Sequence, residues 1–96
     1  MNICCLTGEI LTNPRYDFFY NSKKHISVIK FNIKTSEMEI GYLKNKSTII
    51  KINAYDENAD YVYRFFNKGE FINIIGWINY HMEVNVIEIA KIDTYS

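Results

Sequence analysis

The chain has 96 residues, 48% of them apolar and 16% aromatic, which is enough for one core and one domain and excludes a second. Its 11 basic residues balance its 11 acidic ones, so a surface that attracts phosphate everywhere is excluded, and any polyanion site must be a local patch. No apolar stretch approaches the length that spans a bilayer and no secretory leader pattern is present, so a soluble protein working where it is made is expected.

Cys4, Leu6, Gly8 and Ile10 alternate with Cys5, Thr7 and Glu9, which predicts a first strand with Cys4, Leu6 and Ile10 toward the core. Gly8 inside it predicts a bulge or sharp bend, as small barrels need at their corners. Strand neighbours point to opposite faces, so Cys4 and Cys5 do not pair with each other; two lone thiols fit a reducing compartment. Asn13-Pro14 is a turn signal, Tyr16 to Tyr20 an aromatic run, and Asn21 to Lys24 a polar turn. His25 to Thr35 is the cleanest strand, with Ile29, Phe31 and Ile33 on one face and Lys30, Asn32 and Lys34 on the other. Ser36 to Ser47 reads as a polar connection carrying Lys44, Asn45 and Lys46, with Met38 to Leu43 as a hairpin tip.

Thr48 to Tyr55 is a third strand, with Ile50, Ile52 and Ala54 inward and Lys51, Asn53 and Tyr55 outward. Asp56 is placed to cap the helix that follows, in which Ala59, Val62, Tyr63 and Phe66 recur at helical spacing. Lys68 complements the helix C-terminus and Gly69 allows a left-handed stop. Phe71 to His81 is a fourth strand and Val84 to Thr94 a fifth, joined by a tight turn near Met82-Glu83. Five strands with one helix between the third and fourth predict an OB-fold barrel over residues 1–96, the helix plugging one end. Such barrels are mostly ligand-binding scaffolds, and single-stranded nucleic acid is a common ligand.

Alternation puts Lys30, Asn32, Lys34, Lys51 and Asn53 on one outward face, a candidate strand-binding surface whose bland alternative is an ordinary solvated sheet. In the fourth strand Ile72, Ile74 and Ile78 fit the core, which leaves Phe71, Ile75 and Trp77 outward. Three large apolar side chains on one exposed strand face predict a protein interface, for self-association or for another partner. His25 and His81 with Cys4 and Cys5 lack the usual metal-ligand spacings, so no metal or other cofactor is expected. Asp56, Glu57 and Asp60 read as helix N-terminal charges rather than catalytic carboxylates. With no nucleophile–base arrangement and no phosphate-cradling glycine loop, an enzyme is not expected.

The order of these segments resembles the bacterial single-stranded DNA-binding protein family across nearly the whole chain. The carriers are I-C-C-L-T-G-E-I-L-T-N-P (Ile3 to Pro14), S-V-I-K-F-N-I (Ser27 to Ile33), Asn58 to Gly69 ending F-F-N-K-G, Gly76, and Ile87-Glu88-Ile89. The resemblance implies base stacking on aromatics and a backbone run along basic residues; Tyr55 falls where the family carries a stacking aromatic. Within the family the chain is most similar to a small plastid- and cyanobacterium-encoded branch, described as single-stranded-DNA-binding-like and thylakoid-associated. That match implies a chloroplast setting, in the stroma or at the thylakoid, with a bacterial cytoplasm as the alternative. The residue usage, 16 Ile, 11 Asn and 9 Lys against 2 Arg, reads as translation of an A+T-rich genome, which an organelle, an endosymbiont, a low-G+C bacterium and a phage would all fit.

Two departures qualify what is carried over. The family usually places Arg and Lys after the strand-four glycine; here the stretch is Trp77-Ile78-Asn79-Tyr80-His81-Met82, with no permanent positive charge. The long acidic-tipped tail of bacterial members has no counterpart before Ser96, so ordinary genome maintenance is not expected. The leading expectation is weak binding of single-stranded nucleic acid, DNA ahead of RNA, without sequence preference and as an oligomer. The competing one is a protein-binding or structural subunit of a larger assembly with that binding reduced or lost.

Overall fold

Period-two alternation becomes strand structure throughout the computed structural model of the chain, which describes residues 2–21, 24–36 and 47–92. The elements are β1 (Cys4–Ile10), β2 (Arg15–Asn21), β3 (Lys24–Ser36), β4 (Ser47–Tyr55), α1 (Asp56–Phe65), β5 (Phe71–Ile78) and β6 (Val84–Lys91). The strand order is β1-β5-β6-β4-β3-β2, and a further pairing of β1 with β3 closes β1, β5, β6, β4 and β3 into a five-stranded barrel. The helix lies between the third and fourth barrel strands of the chain, as expected for an OB-fold. No helix of the described residues is long and apolar enough to cross a membrane.

β2 is the element the sequence showed only as an aromatic run. Aromatic residues suit strands, and this run folds back along β3 from Arg15↔Lys30 to Asn21↔Lys24. β1 takes the next segment of the same β3 edge, from Ile10↔Ile33 to Gly8↔Thr35. The two together cover an edge that would otherwise offer unpaired backbone groups. The proposed hairpin tip at Met38 to Leu43, and Lys44 to Lys46, lie outside the described residues, as does Thr94.

The inward faces meet as expected. Ile10, Ile29, Phe31, Ile33, Ile52, Ala54, Ile72 and Ile74 pack with Val84, Val86 and Ile89, and α1 closes one end with Ala59 and Val62, followed by Phe66. Each fully buried isoleucine stabilises the fold by about 1.5–3 kcal/mol, so the wall positions are energetically dominant. Gly8 sits where β1 pairs with β5 and β3 at once, opposite Ile72 and Thr35, and a Cβ there would lie 2.7 Å from the Lys34 carbonyl oxygen, so close strand approach and not a register-shifting bulge requires the glycine. The helix stop differs from the reading: α1 ends at Phe65 with Phe66 extended at the C-cap and Arg64 as the basic residue of its last turn, while Gly69, at φ 93, lies in the turn beyond and donates its N–H to the Ile10 carbonyl at 2.8 Å.

Two further details differ from the sequence expectation. Asp56 does not cap α1: Tyr55 holds the N-cap position with no side-chain bond, and Asp56 is the first helical residue with φ 51. The chain turns sharply out of β4 at Asp56, a residue type that tolerates the left-handed region, so its carboxylate acts on the helix only through charge. Ile78 is not core; it is 37% exposed, because β5 ends there and the chain leaves the barrel wall at Asn79. A bulge on β6 opposite Ile75/Gly76 changes the phase of that strand, so Val84 and Val86 point inward before it and Ile89 after it.

Candidate nucleic-acid interface

β3 and β4 pair over Val28↔Tyr55 to Ser36↔Ser47, and this register sets the candidate face. Lys30 lies beside Asn53, Asn32 beside Lys51, and Lys34 beside Ile49. Arg15 extends the first row from β2 and Asn85 from β6, giving Arg15–Lys30–Asn53–Asn85 across four strands. A groove of about 570 Å³ runs over this region, lined among others by Arg15, Lys30, Asn32, Lys51, Asn53, Lys68 and Glu83. Its rim is the β1–β2 connection, fixed to β3 by Asn32 N–H donating to Thr12 Oγ1 at 2.9 Å and Leu11 N–H to the Asn32 carbonyl at 2.8 Å.

The structure brings Lys30, Asn32, Lys51 and Asn53 into this one groove and leaves Lys34 and Tyr55 outside its lining. Lys30, Lys34 and Lys51 are exposed and Asn32 is half-buried. Asn53 corrects the sequence reading: it is 3% exposed and does not face solvent freely. Its amide donates to Glu83 Oε1 at 3.0 Å and to Asn85 Oδ1 at 3.2 Å. The reason is closure, since β4 and β6 pair only at Ile52↔Val84 and Asn53↔Asn85, and the side-chain bonds complete that short seam. Tyr55 is half-buried on the strand end; burial first, and then the Glu83 carboxylate, push its hydroxyl above the usual tyrosine range.

Arg15, Lys68 and Glu83 belong to the groove and were not singled out from the sequence for it. Lys68 arrives through the turn after α1, where its N–H donates to Asn13 Oδ1 at 3.2 Å. Glu83 arrives through the β5–β6 turn, which Asn79 organises by accepting from His81 N–H at 2.9 Å and Glu83 N–H at 3.0 Å. Hydrogen bonds from Asn53 and Asn79, with Lys30 and Lys51 nearby, hold the Glu83 carboxyl below the usual range against an opposing effect of burial. Arg15 is placed by the β2–β3 register and Lys68 and Glu83 by turns that the barrel brings together, so no local spacing signalled them.

Across the barrel, Phe71, Ile75 and Trp77 stand on the outer face of β5, 43%, 37% and 43% exposed. Cys5 and Glu88 flank Ile75, and Thr7 donates to Asn73 Oδ1 at 2.6 Å between the apolar positions. Among the described residues no group of His, Cys, Asp and Glu has the makings of a metal site.

This barrel and its placement of the helix define an OB-fold protein. Among known protein families none matches the sequence, and among curated proteins none is significantly similar. Solved structures do resemble it. A small single-stranded DNA-binding protein from Streptomyces coelicolor aligns with a TM-score of 0.74 at 13% identity, over 95% of this chain and 94% of that one. The SSB domain of a Synechococcus protein aligns with a TM-score of 0.74 at 13% identity, over 93% of each chain. The protein priB from Ralstonia solanacearum aligns with a TM-score of 0.76 at 11% identity, over 95% and 98%. At such identities the likeness establishes the fold.

Proposed function

We propose that this chain binds single-stranded nucleic acid, DNA foremost, in the groove over β3 and β4. The observation that carries this is the convergence of Arg15, Lys30, Lys51 and Lys68 on one groove of a chain whose formal charge is zero. Lys–phosphate contacts track the backbone and Tyr55 offers a ring for stacking, so binding needs no defined sequence. Affinity at physiological salt is weak, because Tyr55 is the one stacking aromatic proposed among the described residues of the face and Glu83 offsets part of the positive charge. The names of two of the similar structures, the Streptomyces coelicolor single-stranded DNA-binding protein and the Synechococcus SSB domain, support this reading. Titration of a labelled oligo-dT by fluorescence anisotropy, at low and at physiological salt, tests it. Tight low-salt binding with a steep salt slope is the expected result; no binding at low salt would remove the proposal.

A second reading rests on the other wall. We infer that Phe71, Ile75 and Trp77 contact another chain, either a second copy or a heterologous protein, because three large apolar side chains share one exposed strand face. The two readings are compatible, since the groove and this face lie on different strands. We infer a plastid or cyanobacterial setting, stromal or thylakoid-associated, from the resemblance of the segment order to the small plastid- and cyanobacterium-encoded branch, with which the A+T-rich residue usage accords.

A further inference from the structure

Glu83 is the sole acid among the described lining of the groove, set against four cations there. It is also built in. Oε1 accepts from Asn53 Nδ2 at 3.0 Å and from Asn79 Nδ2 at 3.4 Å, while the Asn79 side chain fixes the turn that carries it. Asn53 is buried and both of its amide bonds are to β6 and the turn before it, so the carboxylate cannot swing away without leaving a buried amide short of a partner. Among the described residues Oε2 accepts no hydrogen bond, which leaves one oriented, charged acceptor in the groove.

A phosphate is repelled at that point, so Lys30 and Lys51 are left to hold the phosphates of flanking nucleotides. What suits Oε2 is a base edge that offers donors. Guanine presents N1–H and an amino group side by side. Cytosine and adenine present one amino group beside a ring acceptor, and carboxylates are known to accept from cytosine N4. Thymine presents N3–H between two carbonyl oxygens that face the carboxylate unfavourably. We propose that Glu83 is a base-selecting residue, which biases the groove toward bases with an amino donor, guanine first and thymine last. This rests on the reading of the groove as a single-strand site, and it adds a bias in base composition to binding that otherwise tracks the backbone.

The test compares labelled oligo-dT with oligomers of equal length in which alternate thymines are replaced by guanine or by hypoxanthine, which lacks the amino group. The guanine oligomer should bind about tenfold tighter than oligo-dT, the size of a charge-assisted hydrogen bond, and hypoxanthine should lose most of that gain. Glu83→Gln should abolish the difference and bind oligo-dT more tightly than the parent, because the repulsion is gone. Equal binding of all three oligomers by the parent protein overturns the proposal and leaves the groove reading intact. A guanine preference that persists in Glu83→Gln also overturns it. Failure of every oligomer to bind at low salt removes the groove reading and this proposal together. Where the variant weakens the β4–β6 seam, equal binding of the three oligomers by the parent protein still overturns the proposal.

Discussion

The β3–β4 wall and the β5 wall obey the same alternation and finish with opposite chemistry. On β3 and β4 the outward positions are Lys30, Asn32, Lys34 and Lys51; on β5 they are Phe71, Asn73, Ile75 and Trp77. Their inward positions are interchangeable in kind, Ile29, Ile33 and Ile52 on one side and Ile72 and Ile74 on the other. A closed barrel needs only its inner face to be apolar, so the outer faces are free to diverge. One can follow a charged backbone in water while the other can be covered by protein.

The largest expected effect removes both walls at once. Ile52 is fully buried beneath the groove, and Ile52→Ala should cost about 2–5 kcal/mol of stability, read as a lower denaturant midpoint. Oligonucleotide binding and self-association should then fall together, which calibrates every surface variant. Trp77→Arg should affect only the β5 wall. Removing one large apolar contact worth roughly 1.5–3 kcal/mol should shift the protein toward monomer, or release it from its partner, with the melting temperature and oligo-dT affinity retained. Light scattering that finds a stable wild-type monomer, with no partner recovered through this face, would leave the wall without that role.

The groove wall should respond in two separable ways. Tyr55→Ala should weaken oligo-dT binding by about 1–3 kcal/mol at every salt concentration, because it removes a ring and no charge. Lys51→Ala should lower the salt slope by about 0.7, one phosphate contact on a single strand. If affinity and slope are unchanged in both, the strand does not lie on this face. The smallest effect is on pH. Both Glu83 and Glu70 have carboxyls below their ordinary 4.5, Glu83 first through Asn53 and Glu70 first through Lys91. A depressed folded value means stability that is present above 4.5 and lost as pH falls through the lower folded values. Acid titration of the melting temperature should therefore show a decline below that point, shallower in Glu83→Gln.

The strand and helix order was legible along the chain because alternation and helical spacing are local patterns. Ile29, Phe31 and Ile33 against Lys30, Asn32 and Lys34 needed no partner to be read, whereas Gly69 marked the turn beyond the helix and not the helix stop, which falls at Phe66 in extended backbone. The outward Phe71, Ile75 and Trp77 were legible for the same reason. Ile78 was misread because alternation does not say where a strand stops, and Asp56 because a capping residue type does not report its own backbone angle.

What the sequence by itself determined is which side of each strand meets the core, since that depends only on the order of apolar and polar residues. Tertiary structure alone decided which polar residues share a site. Arg15 reaches Lys30 through the β2–β3 register, Lys68 comes in on the turn that Asn13 holds, and Glu83 meets Asn53 only because the barrel closes between β4 and β6. The same closure buries Asn53, a residue whose strand phase pointed to solvent. Barrel closure brings together residues remote in the chain, 30 positions for Asn53 and Glu83, and no pattern within one strand carries that information.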